Sequence, residues 1–385
     1  MADPRAARLR RLWLNVHLWI GVGLAVLLIP ISLSGGLLVW HDEIDALLNP
    51  QRYAVSGADV ALPPSAYLSK AAAAVAKDPG GLQPTAIRYP QPGWPVQVMT
   101  RAQQQADGRP RMVTVFLDPP TGAVLDAMEF RSSLFGFLHV FHENLTMPQY
   151  SGRQIVGWAG VGMLVLSLTG IWLWWPRNGG FLRGLRWLRS PRFTFNLHHL
   201  LGFWISLPLA AVSFTGIYLA FPQTARDVMS SVATMSPQAA RGGFGDVVQP
   251  TALSADRALD IARQAEPGAK PLLLSLPVRQ RGPAATAWRV QMARADDTAA
   301  VTVMVDDRSG HATPTIVPQS GDRAASWIRW IHEGSHSGPI WAMIVFLTGL
   351  FPTILAVTGV IMWLRKRASR KVLEAKGTAQ LRPAE

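Results

Sequence analysis

The chain has 385 residues, enough for several domains, and long apolar runs alternate with stretches of ordinary soluble composition. It contains no Cys, which excludes disulfides, thiolate metal sites, iron–sulfur clusters and covalently attached c-type haem. The formal net charge is +13. Because the basic residues cluster beside the apolar runs, we interpret this charge as a membrane-topology signal and expect no nucleic-acid binding.

Four apolar segments are long enough to cross a bilayer, which requires about 20 residues in a helix. None contains Asp, Glu, Lys or Arg, and they cover residues 18–40, 155–175, 200–221 and 339–364. The first is too long for the apolar region of a secretory signal, and no small-residue cleavage site follows it. We therefore predict four retained transmembrane helices.

Basic residues predict the orientation of these helices. The N-terminal segment 1–17, the loop 176–199 and the tail 365–385 are all rich in Arg or Lys. If the four helices alternate in direction, these three segments share one side, which the positive-inside rule assigns to the cytoplasm. We predict a multi-pass protein of a bacterial inner membrane, with both termini cytoplasmic and two large periplasmic segments.

The sequence contains an internal repeat. Residues 15–21 match 196–202 at an offset of 181, and His142-Glu143 matches His332-Glu333 at an offset of 190. Outside the spans, 115–122 matches 303–310 at an offset of 188. Each copy consists of a helix, a soluble domain and a second helix. Two similar stretches of sequence predict two similar structural units, whatever the secondary structure of each segment.

The predicted fold is a four-helix membrane bundle with two periplasmic α+β domains, at 41–132 and 222–326. Apolar spacing indicates helices at 64–77 and 253–266. Strand-like runs follow at 95–100, 112–118, 288–292 and 300–306. Amphipathic interfacial segments are predicted at 133–154 and 327–338, immediately before the second and fourth spans.

The repeat places four histidines at equivalent positions. His17 and His198 begin the first and third spans, and His142 and His332 precede the second and fourth. Two imidazoles facing each other inside a helix bundle bind a haem iron from both sides. Neighbouring His199, His139 and His336 are the substitutes for His198, His142 and His332. An alternative is a metal-ion site formed by His139, His142, His332 and His336 with Glu143 and Glu333.

Four glycines support a planar cofactor. Each follows a Ser or Thr near the end of a span, at the depth of a histidine pair that other segments carry. Gly35 and Gly216 lie at the depth of His142 and His332, and Gly170 and Gly359 lie near His17 and His198. Glycine allows a group to approach the backbone closely, so we expect these residues to pack against haem. The alternative is ordinary packing of small residues between membrane helices.

At these residues the chain resembles the PepSY-associated transmembrane family of iron-regulated inner-membrane proteins. The resemblance is in the Asn-x-His start of the first span, the run from Phe141-His142 through Gly152-Arg153 to Pro176-Arg177, and Ile331-His332-Glu333-Gly334. Length and layout look most like the FoxB-type ferric-siderophore reductases. That resemblance implies two b-type haems held by His17, His198, His142 and His332, and PepSY-like outer domains.

The predicted function is a haem-dependent oxidoreductase that passes electrons across the membrane to a periplasmic ferric siderophore, of hydroxamate type, and releases Fe(II). No strand–GxGxxG–helix unit is found, so the electron donor is a quinol or a cytoplasmic reductase. Aromatics near the periplasmic haem, such as Trp327 and Trp330, are candidates for docking the substrate, and anchoring at the membrane interface is their alternative role. No catalytic residue is assigned.

Three other functions remain open from the sequence. The chain is alternatively a non-enzymatic PepSY scaffold or sensor of iron uptake. A haem oxidoreductase with a different acceptor has the same sequence features. A permease for iron or siderophore has little support, because no charged residue lies inside the spans.

Overall fold

The computed structural model describes residues 4–104, 110–176, 185, 190–236, 250–278, 286–295, 300–313 and 317–380. The chain divides into two compact units, each assembled from separated stretches of sequence. The first unit comprises Met1–Trp40, Leu138–Ala225 and Trp327–Glu385, and the second comprises His41–Phe137 and Arg226–Ser326.

The helices and strands of the described residues are numbered in chain order. The helices are α1 (Pro4–Val39), α2 (His41–Leu48), α3 (Pro64–Val75), α4 (Leu134–Asn144), α5 (Gly152–Trp174), α6 (Phe193–Ala220), α7 (Pro222–Val232), α8 (Ala255–Ala265), α9 (Ser320–Glu333) and α10 (Gly338–Gln380). The strands are β1 (Gln83–Arg88), β2 (Val96–Gln104), β3 (Pro110–Leu117), β4 (Val124–Glu129), β5 (Lys270–Ser275), β6 (Ala287–Ala293) and β7 (Val301–Asp306).

Among the described residues, α1, α5, α6 and α10 are long and apolar enough to cross a membrane. They contain the four predicted spans to within one residue. Between 22% and 33% of the residues in each apolar window are buried inside the protein, so most of this apolar surface requires a lipid environment. The chain is therefore a multi-pass membrane protein.

Three of the helices extend several residues beyond their predicted spans, and one of them is α6, which begins at Phe193. α1 begins at Pro4 and α10 continues to Gln380, because the polar residues that end an apolar segment are compatible with a helix in water. Arg177, Arg183, Arg186 and Arg189 of the predicted basic loop lie outside the described residues.

The helices preceding α5 and α10 differ from the predicted interfacial segments. The segment 133–154 is not one helix, because Leu145 and Thr146 adopt left-handed backbone angles, with φ of 55° and 58°. α4 therefore ends at Asn144, and a short 3-10 turn, Pro148–Tyr150, precedes α5. In the second half, α9 already begins at Ser320, earlier than the predicted residue 327.

The four long helices pack as a closed ring. α1 packs against α5 and α10, and α6 packs against the same two helices. α1 and α6 therefore lie diagonally opposite each other. The α1–α10 crossing is very close, since a Cβ atom added to Gly349 would lie 2.5 Å from the Cα atom of Gly36. Small residues at such a crossing let two backbones approach.

The second unit contains one antiparallel sheet of seven strands, in the order β4-β3-β2-β1-β5-β6-β7. β1 pairs with β5 through Ala86–Ser275, Ile87–Leu274 and Arg88–Leu273. The two separate domains expected at 41–132 and 222–326 are therefore halves of one sheet unit. Pairing at the centre satisfies the backbone groups that each half alone would leave exposed at an edge strand.

Two helices cover the core of this sheet, as the apolar patterns predicted. α3 and α8 bury Tyr67 and Leu259 against strand residues such as Ile87 and Leu274. Burial alternates along β6 and β7 with the period of two that is expected of a strand with one covered face. The apolar runs correctly predicted β2, β3, β6 and β7, whereas β1, β4 and β5 were missed.

The α1–α10 crossing yields a stability prediction. Gly349→Ala should lower the melting temperature of the detergent-solubilised protein, because overpacking of this kind costs about 1–3 kcal/mol. Gly23→Ala is the matched control, since a Cβ atom there meets nothing within 4 Å. Equal melting temperatures for the two variants, measured side by side, would contradict the proposed crossing.

Candidate functional site: two histidine pairs

His17 on α1 and His198 on α6 approach each other across the diagonal of the helix ring. Their ring centroids lie 6.4 Å apart, and the ring planes are inclined at 84°. Because α1 and α6 are diagonal rather than adjacent, the two imidazoles meet inside the bundle. The structure thus brings together the first pair that the sequence predicted, called here the 17/198 pair.

Hydroxyl groups on the other two helices fix this pair. His17 Nδ1 lies 2.8 Å from Thr169 Oγ1 on α5, and His198 Nδ1 lies 2.9 Å from Thr358 Oγ1 on α10. Both Thr hydroxyls donate to carbonyls one turn earlier, those of Val165 and Ile354, at 2.6 and 2.7 Å. Since each hydroxyl hydrogen is used there, Oγ1 accepts from Nδ1–H, and Nε2 is the unprotonated nitrogen.

The 142/332 pair is formed in the same manner by α4 and α9. The ring centroids of His142 and His332 lie 6.1 Å apart, with planes inclined at 41°. His142 Nδ1 lies 2.9 Å from the carbonyl oxygen of Ile31 on α1, and His332 Nδ1 lies 3.0 Å from that of Val212 on α6. A carbonyl only accepts, so both Nδ1 atoms carry the hydrogen and Nε2 is again left unprotonated.

Residues next to these histidines anchor α4 and α9. Glu143 forms an ion pair with Arg153 at 3.1 Å. Arg153 also donates a hydrogen bond to the carbonyl of Leu219 at 3.0 Å. In the other half, Trp341 Nε1 donates to the carbonyl of Ile331 at 3.1 Å. Different interactions therefore hold the two histidine-bearing helices in place.

The two pairs lie at opposite ends of the bundle. On α1, His17 precedes Ile31, the partner of His142, by 14 residues, and on α6 the same interval separates His198 from Val212. At ~1.5 Å of rise per residue, 14 residues correspond to about 20 Å. This distance is a large part of the roughly 30 Å hydrocarbon core of a bilayer.

An apolar cluster fills the bundle between the two histidine pairs, whose heights along the bundle are called here the two levels. Its buried residues are Leu28, Ala159, Met163, Ile205 and Leu209, and Leu24, Leu347 and Phe351 are among the residues packed against them. All four long helices contribute to it. Such a cluster excludes water and ions from the region that separates the two pairs.

The four glycines are adjacent to the histidines themselves. A Cβ atom on Gly35 would lie 2.5 Å from His142 Cε1, and one on Gly216 would lie 2.9 Å from His332 Cε1. At the other level the distances are longer, 3.6 Å from Gly170 to His17 and 3.5 Å from Gly359 to His198. The space that these glycines leave is occupied by imidazole, a role that the sequence analysis did not anticipate.

Burial keeps the 142/332 pair neutral. Desolvation lowers the pKa of His142. Desolvation, with His142 as the next largest cause, lowers the pKa of His332 to about 4. A neutral imidazole is the form that ligates metals.

The spacing of both pairs fits ligation of one metal atom between two imidazoles. A metal–nitrogen bond of about 2.0–2.1 Å, added to the roughly 1.1 Å from nitrogen to ring centroid, places trans imidazole centroids about 6.3 Å apart. The observed separations are 6.4 and 6.1 Å. Two imidazole nitrogens leave a zinc ion short of its usual four ligands, whereas in general two histidines suffice for an iron that a haem macrocycle already holds.

The substitute histidines have other contacts. His199 stacks on Phe195, with centroids 5.7 Å apart and planes inclined at 8°. His139 is exposed and lies 4.0 Å from Glu143. His336, also exposed, stacks on Trp330 at 4.3 Å. In the described part of the chain, no group of three or more His, Asp or Glu is placed to hold a metal ion.

The partners of Nδ1 were missed by the sequence analysis. Thr169 and Thr358, the hydroxyl partners of the 17/198 pair, attracted notice only because a glycine follows each of them. The signal was present, since a hydroxyl residue precedes glycine at all four sites. The backbone carbonyls of Ile31 and Val212 have no sequence signal, because every residue possesses one.

Residues 14–366 match the PepSY-associated TM region. The chain belongs to this family, since the match covers most of its length and includes all four paired histidines. A comparison with curated proteins found no match.

The two levels should respond differently to added methyl groups. Gly35→Ala and Gly216→Ala should displace an imidazole of the 142/332 pair and lower the melting temperature of the protein, because the added Cβ overlaps the ring. Gly170→Ala and Gly359→Ala are the controls, with room for ordinary contact. The check is the melting temperature of each purified variant in detergent, and equal values in all four would contradict the assigned overlap.

Proposed function

We propose that this protein is a di-haem b oxidoreductase of the bacterial inner membrane that passes electrons to a periplasmic ferric siderophore. The observation that carries the proposal is the occurrence of two histidine pairs, at opposite ends of one bundle, with ring centroids 6.4 and 6.1 Å apart, so that each pair could hold one haem iron. In this proposal His17 and His198 hold one haem iron, and His142 and His332 hold the other. The two halves of the chain are copies of one unit, which explains the recurrence of the pair.

The charge distribution supports the proposed orientation. The N-terminal part of α1 carries Arg5, Arg8, Arg10 and Arg11, and α10 carries a run of basic residues just beyond its apolar part, Arg365, Lys366, Arg367, Arg370 and Lys371. Basic residues beside spans favour the cytoplasmic side. The 17/198 pair then lies near the cytoplasm, the 142/332 pair near the periplasm, and the sheet unit is periplasmic.

Haem bound at the two pairs would supply a one-electron redox centre near each membrane face. The chain's own residues have three tasks. Each Nε2 binds iron, each Nδ1–H holds its ring to a neighbouring helix, and the apolar cluster around Leu28 and Leu209 excludes water between the centres. An uncharged, dry interior suits electron transfer and opposes passage of a charged iron complex, which disfavours the permease alternative.

The proposed acceptor is a ferric hydroxamate siderophore, and the proposed donor is a quinol or a cytoplasmic reductase. Hard hydroxamate oxygens bind Fe(III) far more tightly than Fe(II). One electron per iron therefore converts a tightly held ion into a weakly held one, and no protein ligand to that iron is required. FoxB-type ferric-siderophore reductases are the members of the family that this layout resembles.

An aromatic platform near the 142/332 pair supports docking of such a substrate. Trp327 is exposed and contacts Trp330 edge to face at 5.4 Å, and His336 stacks on Trp330. This platform belongs to the same segment, α9 and the residues after it, that carries His332. We propose that the siderophore rests on it while the iron is reduced.

Ligand assignment is tested by absorption spectra of oxidised and dithionite-reduced protein. Unmodified protein should contain two b-type haems per chain. His17→Ala or His198→Ala should remove one haem, and His142→Ala or His332→Ala the other, because each iron loses an axial ligand. His139→Ala, His199→Ala and His336→Ala are the matched controls and should retain both. Protein free of haem, from cells with adequate haem supply, would leave the scaffold or sensor function instead.

Substrate reduction is tested by stopped-flow reoxidation of the reduced protein with a ferric hydroxamate. The Trp327→Ala, Trp330→Ala double variant should slow reoxidation about tenfold, equivalent to roughly 1.4 kcal/mol of docking energy, with two haems retained. Trp204→Ala, an exposed Trp of α6, is the control. An unchanged rate in the double variant would refute the platform, and absence of reoxidation by any ferric siderophore in unmodified protein would indicate a different acceptor.

A further inference from the structure

The two histidine pairs donate to different kinds of acceptor. In the 17/198 pair, each Nδ1–H is bonded to a side-chain hydroxyl, at 2.8 and 2.9 Å. In the 142/332 pair, each is bonded to a backbone carbonyl, at 2.9 and 3.0 Å. The nearby hydroxyls of Ser34 and Thr215 lie further away, at 3.3 and 3.2 Å from Nδ1.

All four sites are nonetheless variants of one arrangement. A Ser or Thr hydroxyl and the carbonyl three residues earlier both lie beside the imidazole. Ser34 donates to Ile31 at 2.9 Å, and Thr215 donates to Val212 at 2.9 Å. At the other level, the corresponding carbonyls are those of Leu166 and Leu355, which lie 3.2 and 3.1 Å from the hydroxyls of Thr169 and Thr358. The two levels differ in the acceptor to which the Nδ1–H is bonded, the hydroxyl at one level and the carbonyl at the other.

The acceptor affects the electron density of the ring. An amide carbonyl is a stronger hydrogen-bond acceptor than an alcohol oxygen, so it draws the N–H proton more and makes the imidazole more electron-rich. An electron-rich axial ligand stabilises Fe(III) and lowers the reduction potential of the iron. Partners of a ligating His tune a metal in this manner in many proteins.

We propose that Thr169 and Thr358 are positioning residues that hold the 17/198 centre at a higher reduction potential than the 142/332 centre. This inference rests on the two haems of the proposed function. The carbonyl-bonded centre is then the stronger reductant, and it lies on the side of the proposed acceptor. A ferric ion held by hard oxygen ligands is difficult to reduce, so the reducing centre must have a low potential.

The membrane potential complements this order. An electron moving from the cytoplasmic to the periplasmic level travels toward the positive side of an energised membrane. The field therefore favours the step that the intrinsic potentials oppose. The chain needs no further group to drive that step.

The experiment is a spectroscopic redox titration of the purified protein. Unmodified protein should show two midpoint potentials, and the higher one should disappear in His17→Ala. Thr169→Val and Thr358→Val should each lower the higher potential toward the lower one, because loss of the hydroxyl transfers the Nδ1–H to the Leu166 or Leu355 carbonyl. Thr169→Ser and Thr358→Ser retain an acceptor hydroxyl and should restore the original value.

Matched controls are available at the other level. Ser34→Ala and Thr215→Val should leave the lower potential unchanged, because the carbonyls of Ile31 and Val212 already accept the Nδ1–H. Should one Val variant fail to bind haem, the other and the two Ser variants provide the comparison.

Several results would overturn the inference. The first is that the higher potential belongs to the 142/332 centre. The second is that the Val variants raise the higher potential or leave it unchanged. The third is that the control variants shift the lower potential as much as the Val variants shift the higher one. Protein without haem would end both the inference and the proposed function. Two haems with this order of potentials but no reduction of a ferric siderophore would uphold the inference and refute only the acceptor.

Discussion

The hydrogen bond from each histidine Nδ1 to a neighbouring helix is the interaction on which the candidate site depends. A buried imidazole without a partner would lose the free energy of its hydration with no compensation. Thr169, Thr358 and the carbonyls of Ile31 and Val212 supply that compensation and determine which nitrogen carries hydrogen. The same bonds fix the orientation of the four rings inside the bundle.

Because these bonds are made between helices, the site and the bundle stabilise one another. His17 is on α1 and its partner is on α5, while His198 on α6 bonds to α10. Membrane helices gain little from the hydrophobic effect among themselves, so polar contacts and close packing hold them together. The Gly36–Gly349 crossing is such a close-packed contact, and the four histidine hydrogen bonds are the polar contacts.

Each histidine pair takes one residue from each half of the chain. The N-terminal half supplies His17 and His142, and the C-terminal half supplies His198 and His332. Neither half alone brings two of these imidazoles together at one level. In the second unit, pairing of β1 with β5 covers two edge strands that one copy would expose. The two copies have diverged where the second half carries Trp327, Trp330 and His336, so substrate docking is proposed on that half alone.

Sequence patterns alone predicted the four spans, the two histidine pairs and the family, and all three predictions are confirmed. Apolar length and the absence of charge are local properties, and a repeat can be recognised by comparison of residues alone. Only the tertiary structure decided that the two soluble segments share one sheet, because β1 and β5 lie far apart in the chain. It also decided which group receives each Nδ1–H. The acceptor at Ile31 is a backbone carbonyl, which every residue carries, so distance in space alone distinguishes it.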